Sequence, residues 1–460
     1  MADADFLDLL IHNAIVALPT GLAHGWVAVA GEKIYACGKG DAPLLLINAA
    51  KETVDAHGGY LIPGLIDSHV HFRTPGLTEK ADIASESAAA LAGGVTSVFD
   101  MPNTIPATTN AQTLFQKLKI FAKDSFTDFA AYPAIIPGAS SGLLRELEYL
   151  RNMIPGVKLF LGTTTGGLAA PAREELNEVF RTCAEMGIII TVHAEDNAII
   201  SRNAEAAISR YGSKEAVPFI EHHKIRSEEA CFRAAAQAVE LAHKFGTRLH
   251  LAHVSTAREA NELLMNGNCS NKLVTAETTP MYMDPQLADA ANRNSLHKIN
   301  PAIKTSFDAQ EIRKAFADGR IDTIATDHAP HQLQAKKGGA LVAASGAPSI
   351  QFALPIMMEY LPLELIIGKM ATAPAKIFGI PDRGEIAPGM NADLALVRSC
   401  DPYIITNNDV ISKCVWTPFE GRLARNKVDA TWRRGKKVFD NLKISKIQAD
   451  PIPFKLTTKG

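Results

Sequence analysis

The sequence predicts an α/β protein, a (β/α)8 TIM barrel with a small β-sandwich domain built from both chain ends. Three observations carry that expectation. Eight short apolar runs alternate with longer helix-like segments between Gly59 and Ala375, the pattern of successive strand and helix units. Histidines and an aspartate stand at the ends of several of these runs, where the strand-to-helix loops of a barrel begin and where such barrels keep their chemistry. Both termini share another style, short strands broken by Gly, Pro and Asn.

The barrel is expected over 59–375, with 1–58 and 376–460 combining into the small β domain. Its strands are predicted at 61–67, 95–100, 129–136, 157–161, 188–193, 248–253, 273–278 and 321–327. Helices are predicted at 79–92, 109–122, 143–153, 172–186, 256–265 and 308–317, with Ser255 and Ser306 as start signals. No Gly-x-Gly-x-x-Gly follows the first strand, which argues against an open doubly wound sheet. At the N-terminus, runs 9–16, 25–30 and 33–37 read as strands; at the C-terminus, 394–397, 430–434 and 437–439 do so after the turn-like 389–393.

Composition narrows the class of function. A chain of 460 residues with 47% hydrophobic content can bury a large core. Net charge is −2 with a pI near 6.7, and no Lys/Arg run stands out, so binding to nucleic acid or an anionic membrane has no electrostatic support. A small-molecule partner is expected. Six cysteines without a Cys-x-x-Cys spacing suit a reducing cytoplasm. The acidic start Met1-Ala2-Asp3-Ala4-Asp5 is unlike a signal peptide, and no run reaches the roughly 20 apolar residues that a membrane span needs. The protein is therefore expected in the cytoplasm. A homodimer is the base-rate expectation for its assembly.

The sharpest motif is Asp67-Ser68-His69-Val70-His71, because strand alternation puts His69 and His71 on one face. His193, His253 and Asp327 close later runs, and Lys158 lies within the fourth. Imidazole and carboxylate ligands suit Zn²⁺, and Mn²⁺ or Co²⁺ would also be accepted. A lysine ammonium is no ligand, but its amine can react with carbon dioxide to give a carbamate, which is a bridging carboxylate. One ion would then take His69, His71, Asp327 and carboxylated Lys158, and the second the same carbamate with His193 and His253. Such a pair acidifies water and polarises a carbonyl, and Asp327 can pass a proton to a leaving nitrogen. Hydrolysis of an amide-type C–N bond is the class expected. His250 reads as a surface or packing residue, and His222 and His223 fall in a polar stretch that reads as exposed. His328 should point away from Asp327 and act as a partner behind the ligands.

These residues resemble the amidohydrolase superfamily, and within it the dihydroorotases. Asp-x-His-x-His at 67–71 and Thr326-Asp327-His328-Ala329-Pro330-His331 place the chain among cyclic amide hydrolases. Arg73, Asp100-Met101-Pro102-Asn103-Thr104 and Trp416-Thr417-Pro418-Phe419-Glu420-Gly421 narrow the resemblance. It implies reversible interconversion of N-carbamoyl-L-aspartate and L-dihydroorotate in de novo pyrimidine biosynthesis. Arg73, Asn103, His331 and Asn300 would contact the substrate, with Thr164 and Thr165 on a closing loop. Pro280-Met281-Tyr282 and Lys304 depart from residues common in that family. Two alternatives remain: an allantoinase, hydantoinase or dihydropyrimidinase, or a non-catalytic scaffold for aspartate transcarbamoylase.

Overall fold

The computed structural model describes residues 7–162 and 171–455. Eight parallel strands form the barrel: β1 (Leu65–Val70), β2 (Val95–Asp100), β3 (Asp128–Ala131), β4 (Val157–Phe160), β5 (Ile190–His193), β6 (Leu249–Leu251), β7 (Val274–Thr278) and β8 (Thr323–Ile324). Ladders join β1 to β3 in one group and β4 to β8 in another. Two short bridges close the ring. Ala134 pairs with Lys158 just beyond β3, and Val70 pairs with His328 just beyond β8. The second seam includes the His71 N–H donating to the His328 carbonyl at 2.8 Å, so barrel closure and the histidine pair share one hydrogen bond.

Helices follow the strands as the alternation predicts. Ile83–Ala92 comes after β1, Ala111–Asp124 after β2, Ser140–Leu150 after β3 and Arg173–Met186 after β4. Asp82 caps the first of these, its side chain accepting the Ser85 N–H, as short polar side chains do at helix starts. Two start signals shift by one residue: Thr256 and Thr305 are the capping residues rather than Ser255 and Ser306. Each caps because its hydroxyl accepts the backbone N–H three residues on.

The run predicted as one strand at 61–67 divides at Gly64. Tyr60–Pro63 leaves the barrel and pairs antiparallel with Leu394–Val397. That pairing stitches together a single nine-stranded sheet from both chain ends. Leu7–Leu18 lies inside it, antiparallel to Gly21–Ala30 and parallel to Ala50–Asp55 and Tyr60–Pro63. Leu423–Arg433 and Lys436–Asp440 extend the other side. One face packs Leu9, Ile11, Val27, Leu61, Leu394 and Trp432 into a core of its own. A buried ion cluster ties this sheet to the closed base of the barrel: Asp128 at the start of β3 accepts from Arg383 and Arg433. No helix among the described residues is long and apolar enough to cross a membrane.

Candidate active site

The C-terminal mouth of the barrel gathers most of the predicted residues. His69, His71, Arg73, Asn103, Lys158, His193, His253, Asn300 and Asp327 line one pocket, whereas His331, expected as a substrate contact, does not line it and lies against Arg73. Thr164 and Thr165 lie outside the described residues. Arg73, His253 and Asp327 have φ of 65°, 41° and 47°. A left-handed residue of this kind costs roughly 1–2 kcal/mol, and its occurrence at three strand ends is the sort of strain that turns side chains over a functional mouth.

Side chains behind the ligands set which nitrogen faces the pocket. The His69 Nδ1–H donates to Glu277 Oε1 at 2.5 Å, leaving Nε2 3.5 Å from Asp327 Oδ1. The His71 Nδ1–H donates to Asn103 Oδ1 at 2.7 Å, leaving Nε2 3.1 Å from the same Asp327 oxygen. The ligand atoms of His69, His71 and Asp327 lie within 4.8 Å of one another. Across the pocket, His193 Nδ1 faces His253 Nε2 at 2.9 Å, while His193 Nε2 lies 3.1 Å from Glu195 Oε2. Glu195 is in turn paired with Arg226. For His69 and His71 this is how metal-binding imidazoles are generally oriented, the outer nitrogen on an oxygen acceptor and the inner lone pair turned to the ion, whereas the His253 Nδ1 has no hydrogen-bond partner among the described residues.

Protonation suits the same role. Burial drives the His71 pKa down to about 4 and holds His193 and His253 below the ordinary imidazole range, so these rings are neutral and offer lone pairs near pH 7. Burial alone would raise the Asp327 carboxyl, but His69, His71 and His253 around it bring it well below the usual range. Lys158 is 0% exposed, and its Nζ has no hydrogen-bond partner among the described residues. Burial lowers its pKa to about 8, which makes the neutral amine accessible. A buried amine without a partner, set among unprotonated imidazoles and a carboxylate, fits a divalent metal site in which that amine has become a carboxylate.

The Arg73 side of the pocket is built differently. Arg73 is 2% exposed. Its Nε–H donates to the Pro330 carbonyl at 3.1 Å, and Nη2 lies 3.2 Å from His331 Nε2. His331 Nε2 also lies 3.0 Å from the Ser345 carbonyl, so this ring sits against the guanidinium. Asn300 Oδ1 is buried without a hydrogen-bond partner among the described residues.

Several supporting residues were missed in the sequence. Glu277 holds His69 and also accepts from Ser68 and His250. Glu195 holds His193. The signal was present in both cases, a carboxylate inside or just past an apolar strand, where unpaired charge is costly. His328 does turn away from the pocket, its Nε2 2.7 Å from buried Glu86. His222, expected in an exposed stretch, is buried, with its Nε2 3.0 Å from the Ile299 carbonyl. Its neighbours in sequence are polar, but the helix His222–Ile225 packs that one face inward.

A closed parallel barrel with inward lone-pair donors at its C-terminal mouth defines a class of metal-binding α/β barrels. The particular family follows from comparison: the Amidohydrolase family model matches residues 60–438, and the chain belongs to that family. It is 33% identical over 407 residues to a dihydroorotase of Halobacterium salinarum, covering 85% of this chain and 89% of the relative. An allantoinase of Bacillus velezensis is 30% identical over 446 residues, with 94% of each chain covered. Among solved structures, the L-hydantoinase of Arthrobacter aurescens superposes with a TM-score of 0.87 at 26% identity, covering 96% of this chain and 98% of its own.

Proposed function

We propose that the protein is a metal-dependent cyclic amide hydrolase and, specifically, a dihydroorotase that interconverts N-carbamoyl-L-aspartate and L-dihydroorotate. The observation that carries the substrate is Arg73. It is a buried guanidinium on the pocket wall, and no described carboxylate forms an ion pair with it. Burial lowers its pKa to about 10, still far above neutrality, so the charge persists. Asp327, Asp100, Glu86 and Glu79 steady this charge through their fields rather than by direct pairing, and a substrate carboxylate would supply the direct partner that a buried cation favours. A neutral ring, as in allantoin, would leave Arg73 without a directly paired anion.

His69, His71, Asp327 and carboxylated Lys158 would hold one ion, and the carbamate with His193 and His253 the other; Zn²⁺ is the ion these ligands favour. The carbamate forms when the neutral Lys158 amine attacks carbon dioxide and releases one proton. When bound, the ions supply Lewis acidity that acidifies water and polarises the ring carbonyl. The chain does the rest. Arg73 fixes the carboxylate and so the ring's orientation, Asn103 holds His71 in the tautomer that presents Nε2, and Asn300 offers an unpartnered carbonyl to a ring N–H. Asp327 accepts the proton of the attacking water and delivers it to the departing nitrogen; in the reverse direction it removes the proton from the attacking ureido nitrogen.

Turnover of dihydroorotate beside allantoin, hydantoin and dihydrouracil, with metal content measured on the same preparation, tests this reading. Preference for dihydroorotate with about two ions per chain is expected. Preference for a neutral ring would move the assignment to the allantoinase or hydantoinase side.

A further inference from the structure

Lys336 ends a short 3-10 turn, Leu333–Lys336, and is 1% exposed. Its Nζ donates to three backbone carbonyls, those of Lys298 at 2.9 Å, Ala344 at 2.8 Å and Gly346 at 2.7 Å. No described carboxylate forms an ion pair with it. Three acceptors use every N–H of an ammonium, one more than a neutral amine possesses.

The three carbonyls belong to two segments of the pocket wall. Lys298 precedes Asn300 by two residues, and Ala344 and Gly346 flank Ser345; Asn300, Ser345 and Gly346 all line the pocket. The Gly346 N–H donates back to the Lys298 carbonyl at 2.8 Å. The approach is close enough that a Cβ on Gly346 would come within 2.5 Å of the Ala329 carbonyl oxygen. Trp416 completes the unit. Its ring lies under Lys336 Nζ at 5.6 Å, a cation–π distance, and its indole N–H donates to the His331 carbonyl at 2.7 Å. His331 in turn meets Arg73.

A chain of contacts thus runs from Lys336 through Trp416 and His331 to Arg73, and a second runs through the Ser345 carbonyl to the same imidazole. Burial, then the charges of Lys298 and Arg73, push the Lys336 pKa well down. An anion seated at Arg73 would relieve part of that pressure. A buried ammonium satisfied only by neutral dipoles carries a desolvation penalty, which an anionic ligand nearby would offset and a neutral ligand would not.

We propose that Lys336, acting with Trp416, is a positioning residue that fixes the Arg73 side of the pocket and sets its preference for a ring bearing a carboxylate over a neutral ring. This rests on the dihydroorotase reading above. The test is steady-state kinetics of the full-length, metal-loaded protein and its K336M and W416F variants with dihydroorotate and dihydrouracil, alongside metal content and thermal melting.

For K336M we expect KM for dihydroorotate to rise about tenfold or more with kcat within about threefold, the split that marks lost substrate binding. Metal content should be unchanged, and the dihydroorotate-to-dihydrouracil ratio of kcat/KM should fall. W416F should move the same way by a smaller factor. An unchanged KM in folded, metal-loaded K336M, or a loss confined to kcat, overturns the inference while leaving the dihydroorotase reading in place. Wild-type protein inactive on dihydroorotate overturns both. If K336M fails to fold, W416F decides: a KM-selective rise supports the proposal, and unaltered kinetics overturn it.

Discussion

The two walls of the pocket are supported by different chemistry. On the metal side, His69, His71 and His193 are each backed by a side-chain acceptor, Glu277, Asn103 and Glu195. On the other side, cations are backed by backbone carbonyls: Arg73 by Pro330, and Lys336 by Lys298, Ala344 and Gly346. The metal wall is ready for a cation because neutral rings and carboxylates turn inward. The Arg73 wall is ready for an anion because its cations hydrogen-bond to backbone carbonyls and no described carboxylate pairs with them directly, Asp327, Asp100 and Glu86 acting on Arg73 only through their fields. The proposed substrate, with a carboxylate at one end and a scissile amide at the other, would complete both.

Damage to the metal wall should have the largest effect. Asp327→Ala removes both a ligand oxygen and the proton acceptor, and turnover should fall on the order of 10³-fold or more. Folding is preserved if thermal melting of the metal-free variant matches wild type. A rate within about tenfold of wild type would mean that Asp327 neither ligates nor carries the proton.

Glu277→Gln should have the next largest effect. The amide can still accept from the His69 Nδ1–H, but without the carboxylate charge. Metal affinity should drop about 10- to 100-fold, read by competition with a chromophoric chelator. Affinity equal to wild type would make Glu277 a packing residue.

The smallest effect concerns pH. Burial depresses His71 from 6.5 to about 4 and lowers His193 and His253 as well. Between these limits each of these rings binds more protons unfolded than folded and contributes stability that rises with pH, against Asp67 and Glu259, whose carboxyls burial raises to about 7 and whose contribution falls as pH rises. The histidine part is isolated by a variant: as pH falls from about 6.5 toward about 4.5, metal-free His71→Gln should lose less Tm than metal-free wild type. The same pH dependence in both would show that His71 is not held neutral in the fold, and the neutral-ligand account of this wall would fail.

The contrast between the walls also explains what could be read in the sequence. The proposed ligands could be singled out in the sequence because the histidines and Asp327 stand at the ends of apolar runs and Lys158 within one, and the strand period put His69 and His71 on one face. Barrel strands at 95–100 and 157–161 emerged nearly unchanged as Val95–Asp100 and Val157–Phe160. The division at Gly64 was not legible, since Tyr60–Pro63 joins the outer sheet only because Leu394–Val397, over three hundred residues later, lies beside it. Glu277 and Glu195 could have been found from their placement, whereas Lys336 could not. Its partners are main-chain carbonyls, which every residue carries, and only the folded loops reveal which of them converge. Likewise, Arg73 read as a carboxylate clamp from resemblance, but that the carboxylates around it act without a direct ion pair is a property of the three-dimensional site.

The most direct test of the central claim is the ratio of kcat/KM for dihydroorotate to that for dihydrouracil, measured for wild type and Arg73→Met. Wild type should strongly prefer the anionic ring and the variant should lose that preference, mainly through a KM for dihydroorotate raised about 10- to 100-fold, the worth of a charged buried hydrogen bond. A wild-type preference for the neutral ring, or a preference for dihydroorotate that survives loss of the guanidinium, would contradict that claim.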